Sequence, residues 1–251
     1  MRIDLNADVG ESFGVYTIGH DAGVMASITS ANVAAGFHGG DPSVLRATIR
    51  MAKAHAVAVG VHPGFADLMG FGRRRFDMAP QAAEDLVLYQ IAAVAGVAAA
   101  EGVPLRHVKA HGALYNQAAT DRPLAQALAR AVAAFDRSLL VFAPPGSEMA
   151  RAASEHGLSV AFEAFADRAY EASGRLVPRH EAGAVIEDVE TVVGRAVQLA
   201  CERTVVAVDG RLLRVEADTV CLHGDTPGAD RLAAAVRRGL ERAGVEVRSV
   251  G

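Results

Sequence analysis

The residues of this 251-residue chain that could do chemistry recur at the ends of short apolar runs. Asn6, Asp8 and Glu11 follow the first run, and Asn32 leads into Gly36-Phe37-His38-Gly39-Gly40-Asp41. His62 ends a third run, and Lys109 and His111 lie in a fourth. Glu163, with Asp167 and Arg168 just beyond, ends a sixth, and His223 and Asp225 close the last. Carboxylates, imidazoles, amides and cations are the groups that move protons and hold developing charge. A charge is costly to bury singly, so a converging set is best explained by a ligand. The segment Gly70-Phe71-Gly72-Arg73-Arg74-Arg75 joins flexible backbone to three guanidinium groups. It reads as a phosphate contact or as a solvated or partner-facing loop, and it lacks the order of a P-loop.

Such positions need elements that bring them together. Strand-like runs cover residues 3–7, 30–35, 58–62, 107–111, 139–143, 159–163 and 219–223. Helical patterns lie between them. One starts at Asp41-Pro42, a capping residue before proline, and carries Leu45, Ile49 and Ala52 on one face. Alternation of strands and helices implies a parallel sheet covered by helices. Seven strands favour a single closed (β/α) barrel of TIM type over residues 1–251. No G-x-G-x-x-G follows the first strand, which weakens a dinucleotide-type open sheet. In a barrel the strand ends converge on the C-terminal face, where such folds build their sites. Asp209-Gly210 between two apolar runs predicts a small hairpin insertion near 205–215.

Composition narrows the class. With 51% hydrophobic and 22% charged residues the chain is globular rather than disordered. A net charge of -4 without a basic cluster argues against nucleic acid. Cys201 and Cys221 form neither a metal-type pair nor a disulfide framework, which suits a reducing cytoplasm. Asp4 interrupts any signal peptide. The apolar stretch 86–100, broken by Gln90, falls short of the roughly 20 residues of a membrane span and predicts a buried helix.

Five blocks carry a resemblance. Asp4-Leu5-Asn6-Ala7-Asp8-Val9-Gly10-Glu11, the run from Asn32 to Pro42, and Val108-Lys109-Ala110-His111-Gly112-Ala113-Leu114-Tyr115-Asn116 resemble the LamB/YcsF family. So do the run from Glu163 to Tyr170 and the run from Val220 to Gly228. The blocks are collinear over nearly the whole chain. Ala35, Gly39 and Ala110 depart from the usual Cys, Ala and Pro, and none of these changes removes a polar side chain. The resemblance implies a seven-stranded, deacetylase-like barrel. It also implies the A subunit of a 5-oxoprolinase, working with subunits B and C to open 5-oxoproline to L-glutamate while hydrolysing ATP.

That reaction assigns expected roles. A five-membered lactam is a poor electrophile, so coupling to ATP (with Mg²⁺) implies phosphorylation of the amide oxygen before water attacks. Lys109 would neutralise charge, and Asp8, Glu163 or Asp225 would act as base. Asn6, Glu11, Asn32, His38, Arg168 and His223 would hold substrate. Asp8, His62 and His111 are also apt ligands for Zn²⁺ or a similar ion. Two alternatives therefore stand: a metal-dependent amidohydrolase acting without ATP, and a non-catalytic binding subunit. No nucleotide motif is present, so partners would be needed for ATP chemistry.

Overall fold

Strand β1 (Arg2–Val9) alternates Ile3, Leu5, Ala7 and Val9 with Asp4, Asn6 and Asp8, and both sets are buried. A strand places successive side chains on opposite faces, so one face is apolar and the other polar. A computed structural model, describing residues 1–222, 224 and 228–250, shows what each face meets. Helix α1 (Asp21–Met25) precedes β2 (Ser30–Ala34), and α2 (Pro42–Ala54) precedes β3 (Ala58–His62). Next come α3 (Pro80–Ala100), β4 (Leu105–Val108), α4 (Gly112–Ala118), α5 (Arg122–Phe135) and β5 (Leu140–Ala143). The chain continues through α6 (Glu148–Glu155), β6 (Val160–Phe165) and α7 (Val189–Glu202). A two-stranded antiparallel pair, β7 (Thr204–Val206) and β8 (Leu212–Arg214), then leads to β9 (Thr219–Leu222). Helix α8 (Ala229–Arg242) and β10 (Glu246–Val247) finish it.

Seven strands, β1 to β6 and β9, pair in parallel, and β9 bridges β6 back to β1. The expected closed seven-stranded barrel is therefore present, wrapped in helices. Strand β10 only extends the start of β1, at Arg2 and Ile3.

Boundaries differ from the sequence reading in two places that affect the site. The fourth strand runs over Leu105–Val108, so Lys109 and His111 stand in the turn beyond it. Their backbone N–H groups still reach the Val61 and Pro63 carbonyls, at 2.9 and 2.8 Å. The sixth strand continues to Phe165, which places Glu163 within the barrel wall.

The helix expected over 86–100 spans Pro80–Ala100, and by length and composition alone it could cross a membrane. One face is buried, through Ala83, Val87, Gln90, Ile91, Val94 and Ala98. Gln90 does not interrupt it. Its amide exchanges two 2.9 Å hydrogen bonds with Gly64 N and O, pinning the turn after β3 from inside the core.

Candidate active site

The barrel interior is a polar column. Near its base Asp4 accepts hydrogen bonds from Thr29, Ser30 and Thr219 hydroxyls at 2.6, 2.7 and 2.5 Å. Burial lifts the Asp4 carboxyl to about 6, and these hydroxyls only partly offset it. One layer up, Asn6 Nδ2 donates to Thr219 Oγ1 and Glu163 Oε1, at 2.6 and 3.0 Å. Asn32 Nδ2 donates to Asn6 Oδ1 and Asp8 Oδ1, at 2.7 and 2.9 Å. His107 Nε2 donates to Asn32 Oδ1 at 2.7 Å. The His107 ring stacks on Phe142 with centroids 4.1 Å apart, and burial lowers its pKa to about 3, keeping it neutral. Networks satisfied this fully are rigid.

Lys109 sits at the top of the column. Its ammonium lies 2.9 Å from Asp8 Oδ1, 3.0 Å from Glu163 Oε1 and 2.9 Å from Cys221 Sγ. Burial, the largest influence, opposes the charge, yet the carboxylates of Asp8 and Glu163, with Cys221 Sγ accepting a hydrogen bond beside them, hold Lys109 well above the ordinary lysine value. It is a permanent cation. Burial likewise holds the Cys221 thiol well above its usual value, so the sulfur stays protonated.

Above Lys109 opens a cleft of about 1360 Å³, lined by Asp8, Glu11, His62, His111, Tyr115 and Glu163 among others. Two polar atoms buried here, Glu163 Oε2 and the Tyr115 hydroxyl, meet no hydrogen-bond partner in good geometry among the described residues. Burial first, then the charge and nearness of Glu163, keeps Tyr115 protonated. A carboxylate oxygen, a hydroxyl donor and an ammonium thus stand together, an arrangement complementary to an amide.

Beside them four further groups, Glu11, His38, His62 and His111, place ligand atoms within 4.8 Å of one another and could hold a metal ion. His38 and His111 stack with centroids 3.7 Å apart, and burial drives both well below the ordinary imidazole value. The donor set, three imidazoles and a carboxylate, fits a borderline divalent cation.

Arginines line the outer cleft: Arg73, Arg151, Arg168, Arg175, Arg179 and Arg214. Arg168 is buried, and its guanidinium is fixed by the Ala184 and Val177 carbonyls at 3.2 and 2.6 Å. Burial, then Arg179, lowers its pKa to about 10. Of the three cations in the 70–75 segment only Arg73 lines the cleft. Arg74 is spent on Asp67, and Arg75 stands 3.5 Å from Asp77. The loop itself is bound inward, since Phe71 O accepts from His111 Nε2 at 2.8 Å.

The structure gathers Asp8, Glu11, His62, Lys109, His111, Glu163 and Arg168 around one cleft. Asn6, Asn32 and His38 are fully buried and do not line it. The two asparagine amides are engaged within the column, so they orient Asp8, Glu163 and Lys109. His223 and Asp225 lie outside the described residues. Tyr115, His107, Cys221 and Asp4 were not singled out from sequence. Tyr115 follows His111 by four positions, one helical turn, which was the available signal.

A closed parallel barrel with carboxylates, imidazoles and a lysine converging at the C-terminal ends of its strands defines a (β/α)-barrel protein with polar groups gathered where such folds build their sites. Residues 3–251 match the LamB/YcsF family, and the chain belongs to it. It is 53% identical over 250 residues to the 5-oxoprolinase A subunit of Symbiobacterium thermophilum, covering 100% of this chain and 96% of that one. Against the 5-oxoprolinase A subunit of Thermus thermophilus it is 50% identical, over 99% of this chain and 100% of the relative. The crystal structure of the lactam utilization protein from Thermus thermophilus superposes with a TM-score of 0.95 at 49% identity, covering 100% of each chain.

Proposed function

We propose that this chain is the A subunit of an ATP-dependent 5-oxoprolinase that opens 5-oxo-L-proline to L-glutamate with subunits B and C. Full-length similarity to proteins named as 5-oxoprolinase A subunits supports the reading. The observation that carries it is the group formed by Lys109, Glu163 Oε2 and the Tyr115 hydroxyl, facing a cleft large enough for a small lactam.

In this reading the amide oxygen takes the phosphoryl group of ATP (supplied with Mg²⁺), and water adds to the ring carbon. The ring C–N bond then breaks, and a second water releases phosphate. Lys109 holds the negative charge gathered on the amide oxygen, a role that needs a cation with fixed position. Glu163 Oε2 accepts the ring N–H, and Tyr115 donates to a lactam oxygen. Asp8, held by Lys109 and Asn32, takes the proton of attacking water. Arg168 receives the substrate carboxylate. Asp225 stays a candidate base and His223 a candidate substrate contact. ATP chemistry would place the assembly in the cytoplasm.

The test is 5-oxoproline-dependent ATP hydrolysis by the purified chain, with and without subunits B and C. Coupled turnover only in the mixture is expected. Ring opening by the isolated chain without ATP would select the metal-dependent amidohydrolase instead. Binding of 5-oxoproline with no effect of site variants on the complex would leave a non-catalytic binding subunit.

A further inference from the structure

The contact between His62 and His111 is unusual because of what their other nitrogens do. His62 Nδ1 lies 2.7 Å from Lys109 O, and His111 Nε2 lies 2.8 Å from Phe71 O. A carbonyl only accepts, so each of these nitrogens carries its ring's proton. The remaining nitrogens, His62 Nε2 and His111 Nδ1, then present lone pairs to each other across 3.0 Å. Two acceptors at that separation repel unless a cation stands between them. Glu11 Oε1 adds negative charge at the same place, 3.4 Å from His111 Nδ1 and 3.2 Å from His38 Nε2.

We propose that Glu11, His38, His62 and His111 form a site for one divalent transition-metal ion of the zinc class at the mouth of the barrel. Ligands about 2.0–2.2 Å from a tetrahedral ion stand roughly 3.3–3.6 Å apart. Three of the six ligand-atom pairs, at 3.0, 3.2 and 3.4 Å, are close to that spacing, and all lie within 4.8 Å. His38 has to swing out of its 3.7 Å stack on His111 for both lone pairs to meet one ion. The carbonyl partners of His62 and His111 are the outer supports that orient imidazole ligands and fix their tautomer. A shared proton would relieve one pair of nitrogens, but it would not gather four groups. The set also differs from the one expected from sequence. Asp8 Oδ2 stands 3.2 Å from His62 Nε2, but Asp8 Oδ1 already accepts from Lys109 and Asn32. It therefore flanks the site, and Glu11 supplies the carboxylate. When bound, such an ion polarises a carbonyl or phosphoryl oxygen.

The inference stands apart from the lactam reading, because its test needs neither substrate nor partner subunits. The metal-stripped full chain is titrated with Co²⁺, followed by visible absorption, and competed with Zn²⁺. One ion per chain with the spectrum of a four-coordinate nitrogen and oxygen site is expected. Glu11→Gln and His111→Gln should bind at least about tenfold more weakly, whereas Asp8→Asn should retain the ion. Should the variants fail to fold, judged by near-ultraviolet circular dichroism, the wild-type Co²⁺ form still decides. Its proton magnetic resonance spectrum should show paramagnetically shifted signals from three histidines. No saturable uptake, or uptake unchanged in both ligand variants, would overturn the site, as would a shifted spectrum without the three histidines.

Discussion

Lys109 Nζ lies 3.0 Å from Glu163 Oε1, while Glu163 Oε2 stays without a well-formed hydrogen bond among the described residues. One carboxylate thus neutralises the lysine and keeps its second oxygen buried beside the Tyr115 hydroxyl. Lys109→Met should lose about 10²-fold or more in turnover of the assembled complex, the scale for a missing electrostatic donor. The substitution also strands Asp8 and Glu163 as buried charges, so stability should fall by roughly 3–5 kcal/mol. Lys109→Met with Glu163→Gln should recover part of that stability without recovering turnover. Near-normal turnover by the single variant would remove Lys109 from the chemistry.

Arg168 should act on binding more than on turnover. Its guanidinium is fixed by two carbonyls, and burial and Arg179 outweigh the negative charge that Asp167 offers it. An anionic ligand group would add to that charge. Arg168→Gln should raise KM for 5-oxoproline by about 10- to 100-fold, as expected for a hydrogen bond to a charged group worth roughly 1.5–3 kcal/mol. The change in kcat should be smaller. An unchanged KM would place the substrate carboxylate elsewhere.

Gly60 is a packing requirement of the polar column. A Cβ there would stand 2.2 Å from His107 Cδ2 and Nε2. The ring cannot retreat, being stacked on Phe142 and bonded to Asn32. Gly60→Ala should therefore cost about 1–3 kcal/mol in unfolding free energy. Adding His107→Ala should make the Gly60 substitution nearly neutral. Thermal or denaturant melts of the four chains form the test, and strictly additive losses would refute the clash.

Asp4 predicts a pH dependence. Its folded pKa of about 6 exceeds the ordinary 3.8, so the folded chain binds the proton more tightly than the unfolded one. Stability from this group is therefore full below about pH 4, falls as pH rises to about 6, and is level above that. The two-unit gap corresponds to about 3 kcal/mol at most. Relative to Asp4→Asn, wild type should lose stability over that window. Parallel stability profiles of the two chains from pH 4 to 8 would rule this out.

Much of the barrel was legible in the linear order of residues. Local patterning reports what a segment must bury: the apolar alternation of β1 and the Asp41-Pro42 start of α2 depend on neighbours in sequence. The convergence of Asp8, His62, Lys109 and Glu163 followed from topology alone, because parallel strands end on one face. What sequence could not assign was which polar group serves which. Asn6 and Asn32, expected at the substrate, are consumed by hydrogen bonds to residues as distant as Thr219. Gln90, read as a break in an apolar run, turns inward to hold Gly64. Glu11 rather than Asp8 stands nearest two of the three clustered imidazoles, because the glycine turns at 10 and 36–40 fold Glu11 and His38 over the strand ends. Partner choice among buried polar groups is settled by distances of a few tenths of an ångström between segments remote in sequence, and only the closed barrel brings those segments together.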